Sequence, residues 1–208
     1  MAAKSRKEEQ TEATRNALLR VARRYFAERG YSEAGIETVV QRARVTRGAL
    51  YHHFRDKLDL FRAVFEREEQ MIVEKVAKSA LAQSDPWQQL IAGCEAFLDV
   101  CLDPVIQRIV LIDGPSVLGW EKWREIDNQC GAALFREGLR QAMDAGLIER
   151  QPVDSLARLL LGAINEGAML IAHSDNVKAA RAEVGGNIRR LLEGLRKSPA
   201  KIRKTSTR

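Results

Sequence analysis

Apolar side chains recur at helical spacing through most of the chain. Leu18, Val21, Ala22, Tyr25 and Phe26 form one stripe across Thr11–Arg29, and Gly30 stands where a glycine ends a helix. Ile36, Val39, Val40 and Ala43 fit the i, i+3, i+4, i+7 template of a second helix. Arg44-Val45 leaves room only for a tight turn before a third, short helix, which Thr46 is suited to cap through its hydroxyl. Leu50 and Phe54 share the inner face of that helix with Val45. From Leu58 a long helix turns Phe61, Val64, Phe65, Ile72 and Val76 inward. Ser84-Asp85-Pro86 starts the next, carrying Trp87, Leu90, Ile91, Cys94, Phe97, Leu98 and Cys101. Asp103-Pro104 repeats the start signal for a short helix, Val105 to Ile112, after which Asp113-Gly114-Pro115 and the segment to Gly119 read as loop. Trp120 to Ala145 reads as one helix closed by Gly146, and two more run from about Asp154 to His173 and from Asn176 to Arg196. No alternating run long enough for a strand occurs, so the expected fold class is all-α.

Two short helices joined by so tight a turn form a helix-turn-helix, whose second helix enters the major groove while the first crosses the backbone. At about 100° per residue, Gly48, Tyr51, His52 and Arg55 lie opposite Leu50 and Phe54, with Arg47 and His53 on the flanks. That outer face has donors, aromatic rings and positive charge but no carboxylate, which suits a polyanion. Adjacent helical residues point about 100° apart, so His52 and His53 do not chelate a metal together.

The net charge of +6 is unevenly placed. Residues 1–57 hold 13 Lys/Arg against 7 Asp/Glu, residues 58–195 hold 15 against 21, and residues 196–208 hold 6 against none. A basic head on an acidic body fits nucleic-acid binding by one part and another task for the rest. The expected organisation is a DNA-binding domain over residues 1–65, a helical effector-binding and dimerisation domain over 66–196, and a disordered basic tail over 197–208. Within the first, residues 1–10 form a flexible basic arm with Lys4, Arg6 and Lys7. The three cysteines, Cys94, Cys101 and Cys130, are widely spaced and odd in number, which points to reduced thiols in the core rather than disulfides or a zinc cluster. Cys94 and Cys101 share a helix face, an arrangement open to a redox switch. A charged N-terminus without a signal peptide, and no segment approaching roughly 20 apolar residues, give the expectation of a cytoplasmic protein away from the membrane. No metalloprotease signature, phosphate loop or nucleophile elbow occurs, so neither an enzyme nor a cofactor is expected.

The run Phe26-Ala27-Glu28-Arg29-Gly30-Tyr31, then Ile36, Val39 and Ala43, then Thr46-Arg47-Gly48-Ala49-Leu50-Tyr51-His52-His53-Phe54, with Lys57 and Leu60-Phe61 behind it, resembles the DNA-binding domain of TetR-family regulators. The likeness covers roughly residues 11 to 65, and its most specific part is Gly-Ala-Leu-Tyr-His-His-Phe followed by Lys. It implies that the Tyr51 hydroxyl and the Lys57 ammonium meet backbone phosphates, contacts that position rather than specify. Base reading is expected from Arg47, whose fork suits guanine O6 and N7, with His52 or His53 as partners. Thr46 caps the helix and Gly48 leaves room for close approach. Two departures stand out: Arg44 occupies a turn position where glycine is usual, and Ala34-Gly35 replace a customary Ser or Thr, leaving Thr38 or backbone N–H groups for phosphate.

The body is less explicit. Phe97, Cys101, Trp120, Trp123, Met143 and Met169 are candidates to line a pocket for a small apolar effector, with Asn165 and Glu166 as polar anchors. Leu156, Leu159, Leu160, Ala163, Ile164, Gly167 and Ile171 form one apolar face, and Val177, Ala180, Val184, Ile188, Leu191, Leu192 and Leu195 another. Two such helices call for a second copy completing a four-helix bundle, and the resemblance places a homodimer interface there. The expected function is therefore a repressor that binds a near-palindromic operator as a homodimer and is released by an effector. A constitutive regulator without a ligand is the alternative. A body cavity of at least ~300 Å³ favours the first and a filled core the second.

Overall fold

The computed structural model describes residues 5–197. Helix α1 (Arg6–Glu33) starts at Ser5, whose hydroxyl accepts from the Glu8 N–H while the Glu8 carboxylate accepts from the Ser5 N–H at 2.8 Å. This reciprocal cap winds Arg6–Gln10 into the helix, so they are not the flexible arm their charge suggested. The arm's first four residues lie outside the described residues, as does the tail from 198 on. At Gly30 the backbone turns to φ 74°, ψ 167°, which breaks the helix where expected.

Helices α2 (Ile36–Ala43) and α3 (Arg47–His53) follow, then α4 (Lys57–Leu81), capped by the Asp56 side chain. Leu18, Phe26, Leu50, Phe54, Leu60, Phe61 and Phe65 bury together, with Phe26 and Phe61 edge to face at 5.2 Å. The same core continues through Ile72 to Cys101, Ile106 and Ile109. The head is thus packed on the body with no gap at residue 65.

After α5 (Pro86–Val100), the chain departs from its expected course. A short α6 (Pro104–Ile106) passes into a π-helix (Gln107–Asp113) and then α7 (Gly114–Leu118), where a loop was expected. Asp-Gly-Pro reads as a stop, yet Pro115 sits in the first turn of α7, where its missing N–H is no loss. The Ser116 hydroxyl donates to the carbonyls of Ile112 and Asp113 at 3.3 and 3.0 Å. The helix expected from Trp120 to Ala145 is two, α8 (Trp120–Gln129) and α9 (Gly131–Asp144), broken at Cys130 with φ −103°, ψ −93°. Gly131 beside the break weakens the helix there.

Helices α10 (Val153–Ala172) and α11 (Val177–Glu193) close the body against α5 and α9 in a second core around Trp87, Leu98, Leu139 and Ile188. Arg181 ties α11 to α5 through Glu95 at 2.6 Å and Asp99 at 2.8 Å. Much of the apolar face assigned to a second copy is consumed here: Leu156, Ile164, Gly167, Ile171, Val184, Ile188 and Leu192 are buried within one chain. Leu159, Leu170 and Leu191 stay exposed. Helix α10 is long and apolar enough to cross a membrane by length and composition alone, contrary to expectation, although 28% of its most apolar window is buried against its neighbours. Arg196 and Lys197, placed in the tail from sequence or beside it, are tied to residues 147–148 by an isolated bridge and a 2.9 Å hydrogen bond.

Cys94 and Cys101 are buried and unpaired, and burial pushes both thiols up to about 12. They are core side chains, and the redox switch has no thiolate to work with. Cys130 is half-buried at the α8–α9 break.

Candidate DNA-reading helix and effector cavities

Thr46 fixes the start of α3 by accepting from the Ala49 N–H at 3.1 Å. Its inner side chains, Leu50 and Phe54, are fully enclosed, which holds Arg47, Gly48, Tyr51, His52 and Arg55 outward. The turn before it is left-handed at Arg44, φ 56° and ψ 41°. Arginine therefore performs the bend without a glycine, and its N–H donates back to Gln41 at 3.1 Å.

The exposed face is more occupied than its sequence implied. The Arg47 guanidinium lies 3.4 Å from the Glu37 carboxylate on α2 and donates to the Tyr51 hydroxyl at 3.5 Å. Its fork is therefore held by protein groups on both α2 and α3. Lys57, first residue of α4, donates to the Ser32 carbonyl at 3.2 Å and sits 4.4 Å above the Tyr31 ring. Desolvation there pulls its pKa down. His52 and His53 meet edge to face at 5.3 Å, and partial burial, with His52 and Arg15 nearby, lowers the pKa of His53. At the start of α2, Gly35 makes no side-chain cap, so that helix presents bare N–H groups beside Thr38.

One cavity in the body, of about 170 Å³ and open to solvent on one side, is lined by α4, α5, α8, α9 and α10; another, of about 290 Å³, lies between the π-helix, α7, α8 and α10. Asp127, Leu161 and Asn165 face both. Trp120 and Trp123 stack in the wall of the second at 5.2 Å, with the buried Trp123 indole N–H unpartnered.

Residues 18–64 match the family described as bacterial regulatory proteins, tetR family, and residues 87–195 match the tetracyclin repressor-like C-terminal domain. The transcriptional repressor AcnR of Corynebacterium glutamicum is 33% identical over 162 residues, covering 74% of this chain and 86% of its own. A TetR-family transcriptional regulator of Pectobacterium atrosepticum has the same fold with a TM-score of 0.82 and 33% identity, over 94% of this chain and 100% of its own. The protein belongs to the TetR family. It is a transcriptional regulator with the family's helix-turn-helix head and helical C-terminal domain. RolR, solved with resorcinol, shares the fold at a TM-score of 0.69 and 17% identity, over 88% of this chain and 89% of its own.

In this TetR-family chain the effector residues expected from sequence are divided. Phe97 and Asn165 line the smaller cavity, while Trp120, Trp123, Asn165, Glu166 and Met169 line the larger. Cys101 and Met143 line neither, because Cys101 is packed into the core beneath the head and Met143 into the core between α5 and α9. The residue that sequence reading missed is Glu69, 6% exposed on the wall of the smaller cavity. Its neighbour Glu68, fully buried, is gripped by Arg23 through two bonds of 2.6 and 3.0 Å. Glu69 has no hydrogen bond or ion pair among the described residues. Burial, helped by the charge of Asp127, pushes its carboxyl up to about 8. Burial raises Asp127 as well. A signal was present: Glu69 falls four residues after Phe65 and three before Ile72, on the stripe that turns inward.

Proposed function

We propose that the protein is a ligand-responsive repressor that binds a near-palindromic operator as a homodimer in the cytoplasm and acts by binding rather than catalysis. The observation that carries this is α3, a helix with one side locked in the core and Arg47, Gly48, Tyr51 and His52 held outward on the other. Two such helices, about 34 to 36 Å apart in a dimer, would enter successive major grooves. Arg47 reads bases, with His52 or His53 beside it, while Tyr51 and Lys57 hold phosphates once Lys57 leaves Ser32. An effector in the body would favour a state with the wrong spacing, by its differential affinity for the two states. RolR carries resorcinol within this fold, which supports a small-molecule effector here. The cavities, about 170 and 290 Å³, lie at or below the ~300 Å³ usual for ligand sites but are not the filled core that a constitutive regulator calls for.

Anisotropy titrations on a duplex selected from random DNA and on a scrambled control, across several salt concentrations, test the DNA reading. Arg47→Ala is expected to narrow the gap between the two duplexes. Lys57→Ala is expected to weaken both alike and to reduce the salt slope by about one per protomer. Unchanged affinity and slope in both variants would overturn the assignment.

A further inference from the structure

We propose that the cavity between α4, α5, α8, α9 and α10 binds a lipophilic organic cation whose ammonium group pairs with Glu69 and Asp127. This names the ligand class for the ligand-responsive reading above and rests on it.

Ile72, Val76, Leu90, Leu134 and the rings of Phe97 and Phe135 make the lining largely apolar. Its charged side chains are Glu69 from α4, Asp127 from α8 and Glu137 from α9, with no Lys, Arg or His. Glu137 pairs with Arg140 at 2.9 Å on the exposed side of α9. Neither Glu69 nor Asp127 has an ion-pair partner among the described residues, and α5 and α10 contribute only the neutral polar groups of Gln89, Cys94 and Asn165. A buried carboxyl without a partner carries a desolvation penalty that folding alone leaves uncorrected. Glu68, one residue earlier, shows how this chain satisfies such a group when the purpose is structural: an arginine is supplied.

The chemistry selects the occupant. An anion entering this cavity meets the carboxyls of Glu69 and Asp127 and no cation in the lining; the nearest positive charge on Asp127 is Arg124, one turn earlier on α8 and lining the adjoining cavity. A neutral apolar molecule fills space but leaves Glu69 unpartnered. An ammonium group on an apolar body satisfies both features, and the Phe97 and Phe135 rings add a surface attractive to positive charge. The proton balance follows from the state of the empty site. Below about pH 8 Glu69 holds its proton, with Asp127 the nearest charge and Cys101 and Cys130 close by. The ligand enters as R–NH3+, Glu69 gives up its proton to solvent, and the product is a carboxylate–ammonium pair with up to one proton released per cation bound.

The test is isothermal titration of the intact protein, without DNA, using n-octylammonium, 1-octanol and octanoate. Octylammonium is expected to bind about tenfold or more tightly than octanol, with octanoate weakest. Repeating the titration at pH 7 in two buffers of different ionisation enthalpy should reveal the proton release. Glu69→Gln should keep octanol binding while losing both the preference for the ammonium and the released proton, and Asp127→Asn should weaken the preference in part. No ammonium binding, no preference over octanol, or a preference that survives in Glu69→Gln would each overturn the proposal. Operator release is measured separately. A cation that binds yet leaves the operator complex intact supports the site and overturns the ligand-responsive reading. Release by some other compound without cation binding does the reverse.

Discussion

Arg44 shows how a single residue can hold a turn against its own preference. Its left-handed conformation costs a residue with a side chain roughly 1–2 kcal/mol, which the hydrogen bonds closing α2 and the packing of α3 offset. Arg44→Gly should therefore raise stability by up to ~1 kcal/mol, less the entropy glycine loses on folding, with the midpoint of urea unfolding as the readout. Glu69 is the opposite case, a residue the fold tolerates at a loss. Its carboxyl is raised from about 4.3 in an unfolded chain to about 8, so between these values the folded protein holds a proton that the unfolded chain has released. Stability must then fall as pH rises through that window, by of order 3 kcal/mol at pH 7 from this group alone. Glu69→Gln should raise the melting temperature most near pH 8 and least near pH 4.5. A gain independent of pH would contradict a raised carboxyl.

The π-helix and α1 meet at one carboxylate. Asp113 accepts from the Tyr31 N–H at 2.8 Å, just after the bend at Gly30, and from the Arg108 guanidinium at 3.2 Å. At Gly30 the φ of 74° strains any residue with a β-carbon, and the movable Arg108 guanidinium lies over the place that carbon would take. On the other side, Gly114 lets the Phe65 ring of α4 lie against the start of α7. Asp113→Ala should cost about 1–3 kcal/mol by stranding a partly buried N–H, while Asp113→Asn, which keeps an acceptor oxygen, should cost less. Thermal unfolding of the two variants decides between them. These elements also mark how far the sequence could be read. Regular stretches, such as Ile36–Ala43 and Val153–Ala172, were legible from their apolar period alone, since neither has a side-chain cap at its start. Asp113-Gly114-Pro115 was misleading because each residue is a local stop signal, and only packing on Phe65 and the Ser116 bonds make them a junction between helices. The break at Cys130 was hidden by apolar spacing that continues across it. In the site, α3 was legible because its chemistry is local, whereas Glu69 and Asp127 come from different helices and meet only in the fold.

For the whole molecule, the decisive question is what covers the outer side of α10 and α11. Leu156, Ile164 and Ile171 are spent on the chain's own core, so the homodimer proposed above, if it forms through α10 and α11, has Leu159, Leu170 and Leu191 left to bury, with Gly162 allowing close approach of a partner helix. Leu170 is 58% exposed and Leu159 75%, so a charge at either position leaves the monomer fold intact while opposing burial between copies. Leu170→Asp should shift the protein toward monomer in sedimentation velocity at micromolar concentration. It should also weaken operator binding by about 10² or more, because each head then binds a half-site without its tethered neighbour. Leu58→Asp, exposed at the head end of α4 and lining neither body cavity, is the control and should leave the assembly state unchanged. A Leu170→Asp protein that sediments as a dimer and holds the operator within twofold of wild type would move the interface elsewhere. The spacing of the two reading helices would then have to be set by another surface, and the link between the body cavity and operator release would have to be redrawn from that surface.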